Sequence, residues 1–268
     1  MDNKTQSVSS KKTSSSQGIY LYCIADGKKK INLGKIGISG SEVYSLPYQG
    51  ISAIVHDCPS RPYESEDKDI VKDWLMTHQK VVDCAWQRFG AVLPLAFDTI
   101  IIGEKGIDPK ENMKRWLQKD YQNLKEKLDK VKGKQEFGIQ ILWDPRVMVE
   151  KIAQITPEIK NLKEELKSKP PGTAYMYEEK IKNLLRKEME KRADEYFKDF
   201  YSRIKKEVFD IHIDKAKKVD DNLQMLMNFS CLVIKEKVEK LGEILEEIKK
   251  ESGFHVRFTG PWPPYSFT

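Results

Sequence analysis

The run Ile19-Tyr20-Leu21-Tyr22-Cys23-Ile24-Ala25 contains no charged residue, and Asp26-Gly27 follows it. This predicts a buried strand and its turn. Residues 35–39 suit a second short strand ended by Ser39-Gly40, and residues 50–55 a third, with 43–46 as its hairpin partner. Beyond Pro59 and Pro62 the period changes. Ile70, Val71, Trp74, Leu75, His78, Val81, Val82, Ala85 and Phe89 recur at helical spacing, so an amphipathic helix starts near Glu66. Acids at Glu64, Glu66, Asp67 and Asp69 suit the positive end of its dipole, and Gly90 stops it. Residues 91–97 return to an extended apolar run, in which Pro94 marks an edge or a bulge.

After a linker at 103–109, Pro109 opens a helix over 109–131 with Met113, Trp116, Leu117, Leu124 and Leu128 on its apolar side. Gly133 ends it, and 137–143 reads as a strand closed by Asp144-Pro145. A charged helix over 146–168 is broken by Lys169-Pro170-Pro171-Gly172, and a longer one follows over 174–206. Both are polar enough to protrude or to pair with each other. Strands at 208–213 and 223–234, joined through Asp220-Asp221-Asn222, precede a helix over 235–250, Gly253 and a last strand at 254–258. The order predicts an α+β fold, with residues 18–107 and 108–268 on either side of the linker and the charged helices at about 146–206 in the second part. The final strand–helix–strand crossover is like half of a ferredoxin-like unit. Residues 1–17, rich in Ser, Lys and Thr, read as a disordered tail.

Composition narrows the function classes. Among 268 residues, 47 basic and 41 acidic side chains leave a net charge of +6, and the two signs alternate along the helices. That pattern describes solvated faces and argues against nucleic-acid binding. No apolar run approaches the ~20 residues that cross a bilayer, and the N-terminus lacks a secretory h-region, so a cytoplasmic protein without membrane contact is expected. Cys23, Cys58, Cys84 and Cys231 form no CxxC clip and are expected to be reduced core thiols; no metal and no cofactor are implied.

Catalytic chemistry finds little footing. Neither a GxSxG elbow nor a P-loop is present, and GKIGISG at 34–40 reads as turn glycines because it leads into no helix. His78, mid-helix beside the apolar stripe, reads as a core or boundary histidine with one hydrogen bond. His212 and His255, on alternating strands, are placed to meet across a sheet. The strongest local feature is the terminus, Thr259-Gly260-Pro261-Trp262-Pro263-Pro264-Tyr265-Ser266-Phe267. Its three prolines Pro261, Pro263 and Pro264 lower the entropy cost of order, and Trp262, Tyr265 and Phe267 offer large apolar area. The segment either folds back to cement the two domains or presents aromatics to a partner protein.

This terminus resembles the TGPWPPYSF ending of the gas vesicle protein F/L family. Other segments resemble the family in order: the IYLYCIA and QGISAIV strands, the stretch from Leu75 with His78, VLPLAF, EFGIQILWD, and Gly172-Thr173-Ala174-Tyr175-Met176 before the long helix. Family members often carry Arg and Gly where this chain has Ala96 and Asp98. The resemblance implies two α+β domains, the second a modified ferredoxin-like fold with inserted long helices. It also implies a non-catalytic accessory or minor structural protein of gas vesicle assembly, at the gas vesicle, whose partners are the major gas vesicle shell protein and other accessory proteins. The alternative from the fold pattern is a ferredoxin-like nucleic-acid or nucleotide-binding module, which needs bases and aromatics gathered on one sheet face.

Overall fold

The computed structural model describes residues 17–104, 106–219 and 222–268. The expectations for residues 1–16 and for Asp220-Asp221 lie outside the described residues. The chain divides into two compact units, one reaching Lys132 (with Thr268) and one spanning Gly133–Phe267. The boundary therefore falls 25 residues beyond the 107/108 division expected from the sequence, because the helix after the linker belongs to the first unit.

In the first unit, β1 (Gln17–Asp26) sits inside a sheet with β2 (Asn32–Gly34), β3 (Val43–Tyr48), β4 (Ile51–Pro59), β5 (Val92–Pro94) and β6 (Ile100–Ile102), in the order β2-β3-β4-β1-β5, with β6 also pairing β1. Residues Ile19 to Ala25 are all buried, so β1 needs cover on both faces. One cover is α1 (Lys68–Phe89), whose Val81, Val82 and Ala85 pack against Tyr20, Tyr22 and Ala25. The other is α2 (Pro109–Val131), which buries Met113, Leu117, Leu124 and Leu128. A register shift between Leu21 and Cys23 carries Cys23 onto the face of Tyr20 and Tyr22.

Helix ends follow their sequence chemistry. Asp67 caps α1 by accepting from the Asp69 N–H at 2.8 Å, and Gly90 closes it in the left-handed region at φ +79°. Pro94 does lie on a sheet edge, as a donor-free residue must. The expected strand at 35–39 is instead a short turn of 3-10 helix at Ile38–Gly40, and the pairing segment lies earlier, at β2. Ile38 is buried and its N–H reaches the Tyr22 hydroxyl at 3.1 Å, which draws it out of the sheet. On α1, Ile70 and Leu75 are 43% and 46% exposed, so the buried stripe starts later than the spacing suggested.

Asp26, at the end of β1, holds α2 in place. Its carboxylate accepts from Lys125 at 2.8 Å and Lys132 at 2.7 Å. Burial alone would raise its pKa, but the two ammonium hydrogen bonds outweigh it and hold the carboxyl below the usual range. Asp26→Asn should therefore lower stability by about 1–2 kcal/mol at pH 7, read from the urea midpoint. The loss should vanish as pH falls through the depressed folded pKa, where the native Asp26 carboxyl is itself protonated.

In the second unit, β7 (Lys134–Trp143), β8 (Asp210–Ile213), β9 (Gln224–Ile234) and β10 (Phe254–Trp262) form an antiparallel sheet in the order β10-β7-β9-β8. Two helices, α5 (Pro171–Lys205) and α6 (Val238–Lys250), cover one face. Phe200, Ile204, Leu241, Leu245 and Ile248 meet Phe137, Ile139, Ile141, Phe229 and Phe254 there. The helix expected over 146–168 is two helices, α3 (Pro145–Ile155) and α4 (Pro157–Leu166). Pro157 has no N–H to continue the ladder, so the chain turns at Thr156 and restarts. Both pack on the first half of α5 through Ile152, Ala153, Ile159, Leu162 and Ile181, so the charged helices pair.

Candidate protein-contact site

The terminal motif is not a free tail. β10 runs on past the expected end at Phe258 to Trp262, which pairs with Glu136 on β7 after an irregularity beyond Thr259. Gly260 makes that irregularity possible. Its φ is +119°, and a Cβ there would lie 2.8 Å from the Glu136 carbonyl oxygen and 2.9 Å from the Phe137 ring, so only glycine fits. The Gly260–Pro261 peptide is cis.

Beyond the strand, Glu136 clamps the chain. Its side chain is buried, and it accepts from the Ser266 N–H at 2.8 Å and the Ser266 hydroxyl at 2.7 Å. Burial pushes the Glu136 pKa up, and the Ser266 hydrogen bonds oppose this by favouring the charged form. Pro263 and Pro264 are buried between the two attachment points, Pro261 is exposed and Phe267 is half-buried. Trp262 and Tyr265 remain 39% and 38% exposed, and Phe258, stacked on Phe137 at 4.9 Å, is 37% exposed. Ser266 thus ties the segment to Glu136 of β7, while Trp262 and Tyr265 each keep more than one-third of their surface exposed.

The other chemical candidates resolve differently. His212 and His255 do not meet: they lie on β8 and β10, opposite edges of the sheet with two strands between them, about 14 Å at ordinary strand spacing. His78 is a buried core histidine, as expected, with its Nδ1 2.8 Å from the Tyr20 hydroxyl. That hydroxyl also accepts the Asp98 N–H at 3.0 Å. His56 is buried beside it, its Nε2 2.9 Å from the Tyr63 hydroxyl and its ring stacked on Tyr20. Desolvation lowers both histidines to about 4. Burial also pushes the Cys23, Cys58 and Cys231 thiols upward, away from thiolate chemistry.

This aromatic–histidine cluster was missed by sequence reasoning except for His78. Its members come from β1, β4, the loop at Tyr63, α1 and the loop at Asp98, and only tertiary structure joins them. Asp98 sits at φ +66°, a conformation that glycine adopts freely and aspartate tolerates. Its Oδ1 accepts the Tyr63 N–H at 3.0 Å, a bond that glycine does not offer.

A nucleic-acid platform needs aromatics on an open sheet face. Here Phe137, Trp143 and Phe229 lie in the core beneath the helices, while the opposite face of β7 and β9 carries Glu136, Gly138, Gln140, Asn228 and Ser230. Among the described residues no cluster of metal-ligating side chains occurs, and no helix is long and apolar enough to cross a membrane.

Residues 18–268 match the family model described as gas vesicle synthesis protein GvpL/GvpF. The chain is 31% identical over 270 residues to gas vesicle protein L1 of Halobacterium salinarum, covering 98% of this chain and 94% of that protein. Gas vesicle protein L of Haloferax mediterranei is 27% identical over 86% of this chain and 72% of its own length. Gas vesicle protein F of Nostoc sp. is 21% identical over 94% and 98%. Among solved structures, that of GvpF from Anabaena sp. superposes with a TM-score of 0.75 at 20% identity, covering 94% of this chain and 98% of that one. GvpF from Microcystis aeruginosa gives 0.64 at 19% identity, covering 93% and 98%. The mixed helix-and-sheet fold is shared with these structures, and the chain belongs to the GvpL/GvpF family of gas vesicle proteins.

Proposed function

We propose that this chain is a non-catalytic accessory or minor structural protein of gas vesicle assembly, resident in the cytoplasm and at the gas vesicle, that works by adhesion. Its partners are the major gas vesicle shell protein and other accessory proteins. Family membership over residues 18–268 is the observation that carries the reading. The terminal segment supports it physically, because a clamped backbone with Trp262 and Tyr265 outward presents aromatic area already ordered before binding. The buried, neutral His56 and His78 and the raised thiols favour surface adhesion over bond-making.

The second unit is read as a modified ferredoxin-like domain. Its strand–helix–strand–strand–helix–strand order and the antiparallel arrangement β10-β7-β9-β8 support this, with α3, α4 and the first half of α5 as the insertion.

Immobilised chain incubated with purified shell protein provides the test. Retention well above that on an unrelated protein of equal charge is expected, and the chain should remain on washed vesicles when probed by antibody. No retention in either assay would refute the reading.

A further inference from the structure

Where α3, α4 and α5 converge, they leave an apolar groove of about 430 Å³. Val149, Leu166, Leu185 and Met189 form its half-buried walls, with buried Ile181 at the floor. Its exposed rim carries Lys163, Lys182 and Arg186 against a single acid, Glu178. Lys182 makes only a loose pair with Glu179 at 3.6 Å, and Lys163 and Arg186 reach no carboxylate among the described residues. Three residues before Glu178, on the same side of α5, Tyr175 is 66% exposed.

We infer that this groove is a docking site for an amphipathic helix of a partner protein whose apolar stripe is flanked by aspartate and glutamate. Dimensions and charge both select that occupant. The α5 positions Glu178, Lys182, Leu185 and Met189 form one stripe about 16 Å long, three helical turns, so a helix of three to four turns matches the groove. Walls made by three helices receive a fourth by ridge-in-groove packing, which buries the apolar row that water now touches. The cationic rim then meets acids on the flanks of the incoming helix and rejects a basic one. Tyr175 stands where it would cover one end of the docked helix. This is a second contact face, separate from the terminal segment, and it rests on the adhesion reading for its biological partner.

Three stapled helical peptides of about 15 residues test it, each with the same leucine stripe and with glutamate, glutamine or lysine flanks. Binding to the full chain is read by fluorescence anisotropy. The glutamate peptide should bind about 3- to 10-fold tighter than the glutamine peptide, as two or three exposed rim pairs predict, and the lysine peptide weakest. Charge reversal at two exposed sites, Lys163→Glu with Arg186→Glu, should invert the order, and Leu185→Asp should abolish binding of all three. Equal binding of the three peptides, no binding up to about millimolar concentration, or an unchanged order in the charge-reversed protein would overturn the inference. Shell-protein retention by the unaltered chain is scored separately. A groove that fails beside intact retention removes this docking site and leaves the adhesion reading standing.

Discussion

Acidification from neutral pH to pH 4 should strip about 2–3 kcal/mol per histidine from the first unit, through His56 and His78. Both imidazoles are buried, at 0% and 5% exposure, and desolvation lowers each to about 4 from an ordinary value near 6.5. In the unfolded chain they take up protons as pH drops below about 6.5, whereas in the native chain they resist until about 4. Between those values the unfolded state holds more protons, so stability falls steadily with pH. Above the window the contribution is fully present, and below it nothing further is lost. Urea midpoints across the window should slope, and the imidazole resonances of both residues should titrate near 4. A flat profile would show that the cluster is open to water.

The second large effect concerns the terminus. Ending the chain after Gly260 removes the buried Pro263 and Pro264 and leaves the Glu136 carboxylate without either Ser266 donor. The expected loss is about 2–4 kcal/mol, since a buried acid that loses both Ser266 donors is costly. Trp262→Ala combined with Tyr265→Ala leaves both anchors in place and should cost less than the truncation, because both side chains are more than one-third exposed. The contrast between the two variants separates the segment's anchoring part from its outward part. Equal losses would mean that the aromatics themselves hold the segment down.

How far the sequence disclosed this arrangement depended on the distance over which each feature is decided. The acids around Asp67, the stop at Gly90 and the start at Pro109 are local chemistry, and all three stand where their residue types require. The break at Pro157 is equally local, but the charged pattern continues across it and hides it. The allegiance of α2 was harder. Its apolar side is satisfied by any sheet face, and only the burial of both faces of β1 assigns it to the first unit. His212 and His255 alternate correctly on their strands, yet strand order, which their spacing does not encode, puts them on opposite edges. The terminal motif stood out by composition alone. Its clamp at Glu136 lies 130 residues earlier and carries no local mark, since a glutamate in a strand reads as solvated until its burial is known. The docking groove was likewise invisible, being the gap left where three separately read helices converge.

Retention of purified shell protein by the Trp262→Ala, Tyr265→Ala chain is the most direct test of the claim that an ordered terminus presents aromatics for adhesion. A folded protein whose affinity drops at least about 30-fold is expected, the loss of one strong aromatic anchor. Undiminished affinity in that variant would contradict it.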